Sequence, residues 1–342
     1  MKGLIAFILF LGMAWMDWTI PLQVSASSPE IIEGAKREGG EVVYYGGGDT
    51  VADQAISKGF TKKYPFLRAK KFRIQSQRLM TRFEAESKAG KHVADIVQTA
   101  DWYIDMIRQK GLLMAYDSAE RKFYSDQFKD PQGYYTAIWK YLHVMVYNTK
   151  LVSKQEIPRS YEDLLHSRWK NRLGFVDSTS GSGIVWFVNQ LEIRGADQGL
   201  KFMKSLAAQN VRMHQSSALL SNLVAGGEIP LAIDLYGYQA ENLKRKGAPI
   251  DWIAAEPTVV HAVLSGISKN APHPNAAKLF QDYLVSEEGQ RIILSFDKNP
   301  TRKGLYVPWY PKGIKEFVSN PRQMDSEKFD RYQNMFLEIF GK

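Results

Sequence analysis

The 342-residue chain contains no cysteine. This absence excludes disulfide bonds, cysteine nucleophiles and lipid attachment to an N-terminal cysteine. Small exported domains often need disulfides, but a chain of this length can bury enough apolar surface without them. Because 342 residues exceed what one compact core usually holds, the length predicts two lobes.

Sequence patterns that carry covalent chemistry are also missing. There is no Gly-x-Ser-x-Gly elbow, no His-Glu-x-x-His zinc motif and no phosphate loop ending in Gly-Lys-Ser/Thr. The sequence therefore predicts neither an enzyme nor a resident cofactor. An exported hydrolase and a ligand-free structural module stay as the alternatives from other functional classes.

One long apolar run is present, and it lies at the N-terminus. Lys2 precedes an apolar stretch over residues 3–16, and Val24-Ser25-Ala26 fits the small-x-small cleavage pattern. The run is shorter than the roughly 20 residues that span a bilayer. Residues 1–26 are therefore predicted to be a cleaved signal peptide, and the mature protein is predicted to be periplasmic, with an uncleaved anchor as the alternative.

The charge balance is basic, with 45 Lys and Arg against 36 Asp and Glu, which is a net charge of +9. The cations are scattered in short runs such as Lys244-Arg245-Lys246, without a dense basic tract. A basic surface can attract nucleic acid, membranes or small anions. Solvated surface is the default interpretation of these scattered runs, and no nucleic-acid partner is predicted.

Strand-like and helix-like segments alternate along the chain. Residues 41–45, 93–98, 173–176 and 231–235 are β-like runs, and residues 51–63 have a helical pattern that ends before Pro65. This alternation predicts an α/β fold with a largely parallel sheet. Ser76, Asn275 and Ser286 are predicted helix N-caps.

Several segments resemble the extracellular solute-binding proteins of ABC importers, in the group that includes ferric-iron binders. The resemblance covers roughly residues 30–305, and the segments that carry it are Ala94-Asp95-Ile96-Val97 with Asp101, Tyr147-Asn148-Thr149, residues 158–164, Trp169-Lys170-Asn171 and residues 270–290.

The resemblance implies a two-lobed, type II periplasmic-binding-protein fold with two crossover strands as the hinge. By this analogy the first lobe is residues 27–139 plus 262–303, and the second is residues 140–261 plus 304–342. The implied function is a monomeric receptor that delivers a solute to an ABC permease in the inner membrane. Ferric iron, with a synergistic anion, is the first ligand expected from the family, and a small organic carboxylate or phosphonate is the alternative.

Ligands of open α/β sheets bind beyond the carboxyl ends of the strands. Four such ends are rich in glycine, hydroxyl or amide groups that suit close backbone approach and anion binding. Their predicted ligand-binding residues are Gly47, Gly48, Asp49, Ser76, Gln77, Ser178, Thr179, Ser180, Gly181, Ser182, Ser216, Tyr236 and Tyr238. Helix caps and solvated turns are the alternative interpretation of the same polar residues.

Tyr236 and Tyr238 are also predicted as metal ligands. Ferric-binding relatives carry an adjacent tyrosine pair near this position, whereas Gly237 separates the tyrosines here. Residues two apart in an extended strand face the same side, so both phenolic oxygens could reach one hard cation. Stacking on an organic ligand and core packing are the alternatives, and Asp234 is either a further oxygen ligand or an anchor for the loop.

Overall fold

The computed structural model describes residues 28–47, 50–178 and 181–341. The predicted signal peptide, residues 1–26, lies outside the described residues. The helices are α1 (Pro29–Arg37), α2 (Thr50–Lys63), α3 (Ser76–Lys88), α4 (Asp101–Gln109), α5 (Gly181–Arg194), α6 (Ala196–Ala207), α7 (Ser217–Gly226), α8 (Gly237–Arg245), α9 (Pro274–Val285), α10 (Glu287–Ser295) and α11 (Ser326–Phe340). No helix in these ranges is long and apolar enough to cross a membrane.

The strands form one curled sheet of mixed direction. They are β1 (Glu41–Gly46), β2 (Arg68–Arg73), β3 (Ile96–Ala100), β4 (Leu113–Met114), β5 (Thr136–Asn148), β6 (Leu173–Val176), β7 (Arg212–His214), β8 (Leu231–Tyr236), β9 (Ile250–Ile253), β10 (Thr258–Ser268), β11 (Asn299–Pro300) and β12 (Glu316–Val318). The main order is β2-β1-β3-β10-β5-β8-β6-β7. The α/β class predicted from the sequence is confirmed.

Two long strands connect the two halves of this sheet. The first part of β5, up to Leu142, pairs antiparallel with β10, and the part from His143 onward pairs with β8 and β9. Strand β10 in turn pairs with β3 of the first half. The two strands therefore lie side by side between two parallel sets, with β10 next to β2-β1-β3 and β5 next to β8-β6-β7.

The apolar core is divided in the same way. One cluster collects buried side chains from residues 142–260 together with Phe329 and Phe336 of α11. Two others collect side chains from residues 35–139 and 262–293. Helix α4 departs from this division, because its Trp102, Tyr103 and Met106 pack in the first cluster.

Three predicted helix starts have different outcomes. Ser286 caps α10 as predicted, accepting from the Gly289 N–H at 3.2 Å. Asn275 is not a cap, because α9 already begins at Pro274 and the Glu38 carboxylate binds the N–H groups of Asn275 and Ala276 from outside the helix. Ser76 is also not a cap, since it is the first residue of α3.

The predicted strand over residues 93–98 is displaced. The observed β3 begins at Ile96, and Val93 is exposed. The reason is the side chain of Asp95, whose carboxylate accepts hydrogen bonds from the backbone N–H groups of Val43 and His273, at 2.7 Å each. These hydrogen bonds hold the backbone in a bend at Asp95, and β3 therefore begins only at the next residue.

Candidate functional site

A cavity of about 840 Å³ lies where the carboxyl ends of several strands meet. Its wall includes side chains from β3, β5, β8 and β10 and from the first turns of α3, α4, α5, α7 and α8. The volume lies within the range of about 300–1,000 Å³ that is usual for small-molecule sites. We refer to this cavity as the cleft.

Most of the predicted ligand-binding residues line the cleft. They are Gly47, Ser76, Gln77, Ser178, Ser182, Ser216, Tyr236 and Tyr238. Gly48, Asp49, Thr179 and Ser180 lie outside the described residues, and Gly181 is the first residue of α5. Residues that are far apart in sequence thus share one wall, and their contact with a ligand stays a prediction.

Five helices begin at the cleft. The first or second residue of each lines it, namely Ser76 of α3, Asp101 of α4, Ser182 of α5, Ser217 of α7 and Tyr238 of α8. The unpaired N–H groups and the dipole of a helix N-terminus favour negative charge. Converging helix starts therefore make this cavity attractive to an anion.

Hydroxyl groups join two of these helix starts. The Oγ atoms of Ser182 and Ser217 are 2.8 Å apart, and both side chains are buried. Ser216 caps α7 by accepting from the Leu219 N–H at 3.2 Å. A serine that caps through its oxygen can still donate its own O–H, so the cap and a ligand contact are compatible.

Cationic side chains outnumber acids on the wall of the cleft. Arg73 and Arg78 are exposed, and Lys298 is buried with its Nζ 4.5 Å from the centre of the Trp139 ring. Among the described residues, Asp101 is the one acid that lines the cleft. These cations were not predicted from the sequence. Lys298, for example, follows α10 in a segment without a strand or helix signal.

Asp101 is held in an environment that opposes its charge. The side chain is fully buried, and burial raises the pKa of its carboxyl to about 7, although the backbone N–H of Trp102 donates to it. Trp102 itself lines the cleft and is only 3% exposed, so core packing and cleft lining both describe it.

Three tyrosines form a stacked wall. The Tyr141 ring lies 4.5 Å from the Tyr236 ring and 5.6 Å from the Tyr238 ring, with interplanar angles of 24° and 29°. Tyr141 was missed, although Trp139, Tyr141 and His143 alternate along β5 and therefore share one face. This wall offers a planar apolar surface to a ligand.

The geometry of Tyr236 and Tyr238 differs from the extended pair that was predicted. Strand β8 ends at Tyr236, and α8 begins at Gly237, so a strand-to-helix turn brings both rings to the cleft. A Cβ atom at Gly237 would lie 3.2 Å from the Trp309 ring, a tight contact to which that ring would have to adjust. Burial raises the pKa of the Tyr236 hydroxyl well above its ordinary value, with Tyr141, Asp234 and Tyr238 adding to the effect.

A buried hydrogen-bonded chain lies behind the tyrosines. Oδ1 of Asp234 is 2.7 Å from Nδ1 of His143, and Nε2 of His143 is 2.7 Å from Nδ1 of His261. Asp234 therefore binds His143 of β5, and its predicted roles as a metal ligand or a loop anchor stay predictions. Of the three, His261 lines the cleft. The sequence analysis found no metal-ligand spacing among the histidines, and no signal in the sequence brings residues 143, 234 and 261 together.

Comparisons with known proteins place this geometry in a family. Residues 91–312 match the family model described as bacterial extracellular solute-binding protein. The major ferric iron-binding protein of Neisseria gonorrhoeae is 26% identical over 156 residues, which are 44% of this chain and 47% of that protein. A protein of Salmonella typhimurium, provisionally assigned as 2-aminoethylphosphonate-binding and periplasmic, is 27% identical over 209 residues, 58% of this chain and 60% of that protein.

A solved structure has the same fold. Iron-bound HitA from Pseudomonas aeruginosa superposes with a TM-score of 0.78 at 20% identity, over 88% of this chain and 99% of HitA. This similarity confirms the type II periplasmic-binding-protein fold that the resemblance implied. The family match and the fold together show that the chain belongs to the bacterial extracellular solute-binding proteins, in the group that resembles ferric-iron-binding proteins, and that its role is to bind a substrate.

Proposed function

We propose that this protein is the periplasmic receptor of an ABC importer and that it captures a small organic anion. The observation that carries this proposal is the charge of the cleft: among the described residues, five helices begin at it and three cations line it, against one buried acid. An organic carboxylate or phosphonate satisfies these groups. The protein would deliver it to a permease in the inner membrane after cleavage of residues 1–26.

The cleft also suits the organic part of such a ligand. Its volume of about 840 Å³ accommodates a small organic molecule, and Tyr141, Tyr236 and Tyr238 provide a stacked surface on one side. The anionic group would lie at the Ser182 and Ser217 hydroxyls, where α5 and α7 begin. The Salmonella relative assigned to a phosphonate supports this ligand class.

Capture is proposed to proceed by closure of two lobes. We assign residues 27–139 plus 262–303 to one lobe and residues 140–261 plus 304–342 to the other. This assignment is supported by the division of the apolar core and by β5 and β10, the two strands that connect the halves of the sheet. A ligand that contacts both lobes only in the closed state stabilises that state.

Ferric iron with a synergistic anion is the second candidate. Tyr236 and Tyr238 both line the cleft, and the Neisseria relative is named for ferric iron. Burial raises the pKa of Tyr236 in the metal-free protein, so Fe(III) would have to displace the phenol proton. Against this candidate, the three cations that line the same cleft repel a trivalent cation.

Calorimetric titration with 2-aminoethylphosphonate, inorganic phosphate and ferric citrate tests the proposal. We expect binding of the phosphonate, and about tenfold weaker binding after Lys298→Gln, because a charge-assisted hydrogen bond contributes about 1.5–3 kcal/mol. Arg68→Gln is the matched control, since Arg68 is exposed on β2 and does not line the cleft.

Two results would contradict the proposal. One is a coloured protein that binds ferric citrate and neither of the other probes, which would favour the iron receptor. The other is equal loss of affinity in Lys298→Gln and Arg68→Gln, which would mean that overall charge, and not the cleft, determines binding.

A further inference from the structure

We propose that His261 contacts the ligand through a donated Nε2–H, and that Asp234 and His143 are positioning residues that hold this ring nitrogen in the donor form. The inference rests on the proposed function, because it names a residue that would bind the anion. Of these three residues, only Asp234 was considered from the sequence, and there as a metal ligand or a loop anchor.

The hydrogen-bonded series of Asp234, His143 and His261 runs from the interior to the cleft. Asp234 and His143 are fully buried, whereas His261 is buried and lines the cleft. The two contacts of 2.7 Å use Nδ1 and Nε2 of His143 and Nδ1 of His261. Nε2 is thus the ring nitrogen of His261 that these contacts leave for the cleft.

These contacts limit where the hydrogen atoms lie. Several hydrogen patterns satisfy both contacts. If Asp234 is a carboxylate and both histidines are neutral, His143 donates to Asp234 and accepts from His261, and Nε2 of His261 is then an acceptor. If one further proton is shared within the two contacts, whether it lies on Asp234, on His143 or on His261, Nε2 of His261 carries a hydrogen.

Charge distinguishes these patterns. The first pattern leaves a net negative charge in the interior, whereas the patterns with one further proton are neutral overall. Unbalanced buried charge is costly. Oδ2 of Asp234 has no hydrogen-bond partner among the described residues, so a lone carboxylate is poorly compensated here. The neutral patterns are therefore favoured, and they place a hydrogen on Nε2 of His261.

The surrounding groups agree with a neutral, donating His261. Burial, with the neighbouring His143, holds the pKa of His261 well below its ordinary value. The rings of Tyr141 and Tyr236 lie 5.0 and 5.5 Å from the His261 ring, and the Asp101 carboxyl interacts with the charge of His143. A donor at this point adds to the helix N-termini and cations that favour an anion.

Nitrogen-15 NMR of the histidine side chains in the ligand-free full chain tests the donor form directly. We expect His261 to be protonated at Nε2 and unprotonated at Nδ1. In His143→Phe, which removes the ring nitrogens and keeps a ring, we expect His261 to show a mixture of both neutral forms. A wild-type His261 protonated at Nδ1 would overturn the inference.

A matched pair of amides tests the ligand contact with 2-aminoethylphosphonate as probe. His261→Gln places an amide N–H near the position of Nε2, whereas His261→Asn reaches only the position of Nδ1. We expect His261→Asn to bind about tenfold more weakly, as for loss of a hydrogen bond to a charged group, and His261→Gln to retain most of the affinity.

The outcomes separate the two proposals. Undiminished binding by His261→Asn, or equal losses in both variants, contradicts the role of His261 alone. A wild-type chain that binds none of 2-aminoethylphosphonate, inorganic phosphate and a small organic carboxylate contradicts the proposed function and the His261 contact together. Thermal unfolding of both variants verifies that each is folded before its affinity is compared.

Discussion

At the scale of single residues, the hydroxyls of Tyr236 and Tyr238 distinguish the two candidate ligands. Phenylalanine keeps each ring in the stack with Tyr141 and removes the oxygen alone. For an organic anion, we expect Tyr236→Phe and Tyr238→Phe to cost about 0.5–1.5 kcal/mol each in binding free energy, as for one neutral hydrogen bond. Calorimetry with 2-aminoethylphosphonate measures this cost.

The exposed Tyr306 provides the control, since Tyr306→Phe removes a hydroxyl outside the cleft. A visible charge-transfer band that appears with ferric citrate and disappears in both cleft variants would contradict the organic-anion interpretation. In that case, the phenolic oxygens would be ligands of Fe(III).

Asp101 makes binding and stability depend on pH. Its folded-state pKa, raised from 3.8 to about 7, means that the folded protein holds this proton more tightly than the unfolded chain. Its contribution to stability is therefore complete at acid pH and is lost as the pH rises through about 7. Above that pH the carboxylate also adds negative charge to the cleft.

We therefore expect the affinity for 2-aminoethylphosphonate to fall as the pH rises from about 6 to about 8. The fall should follow the titration of one group. Asp101→Asn should flatten this dependence and bind more tightly than the wild type at the higher pH. Calorimetry at both values measures it. An identical pH dependence in the two proteins would show that Asp101 does not interact with the ligand.

At the scale of elements, the first turn of α9 is capped by Glu38, the residue that follows α1. Glu38 accepts from the backbone N–H groups of Asn275 and Ala276 at 3.0 Å, and from Nδ2 of Asn275 at 2.5 Å. Its charge also favours the helix N-terminus. Helix α9 begins at Pro274, and the preceding His273 makes no side-chain capping hydrogen bond. Glu38 therefore caps the helix in place of a local residue.

We expect Glu38→Ala to lower the free energy of unfolding by about 1–2 kcal/mol, the usual cost of losing a helix cap. Denaturant unfolding measures it, with Glu338→Ala, at an exposed position of α11, as the control. A loss no larger than that of the control would mean that water replaces the carboxylate without cost.

At the scale of the whole molecule, the proposed lobes should approach each other on binding. Strands β5 and β10 are continuous between the two halves of the sheet, so they are the segments that can bend. We expect the radius of gyration from small-angle scattering to decrease at saturating 2-aminoethylphosphonate. An unchanged radius under saturating ligand would contradict hinge closure.

Local signals in the sequence predicted the α/β class and several elements. Residues 173–176 and 231–235 are strands, α2 ends at Lys63 as predicted, and Ser286 is a cap. These features depend on hydrophobic periodicity and on chain breakers, which act over a few residues. Two of the wrong boundaries, at Asn275 and Val93, are those where a distant side chain, Glu38 or Asp95, binds the backbone, and the third, at Ser76, is displaced by one residue.

The sequence by itself also determined the family and eight residues of the cleft wall, because strand ends rich in Ser, Gly and Tyr are visible locally. Only the tertiary structure determined that the cations and Tyr141 line the cleft and that Asp234, His143 and His261 are hydrogen-bonded in series. Residues 143, 234 and 261 meet because β5 lies between β8 and β10 in the sheet. Such pairing follows from the packing of whole strands, which no local pattern of residues encodes.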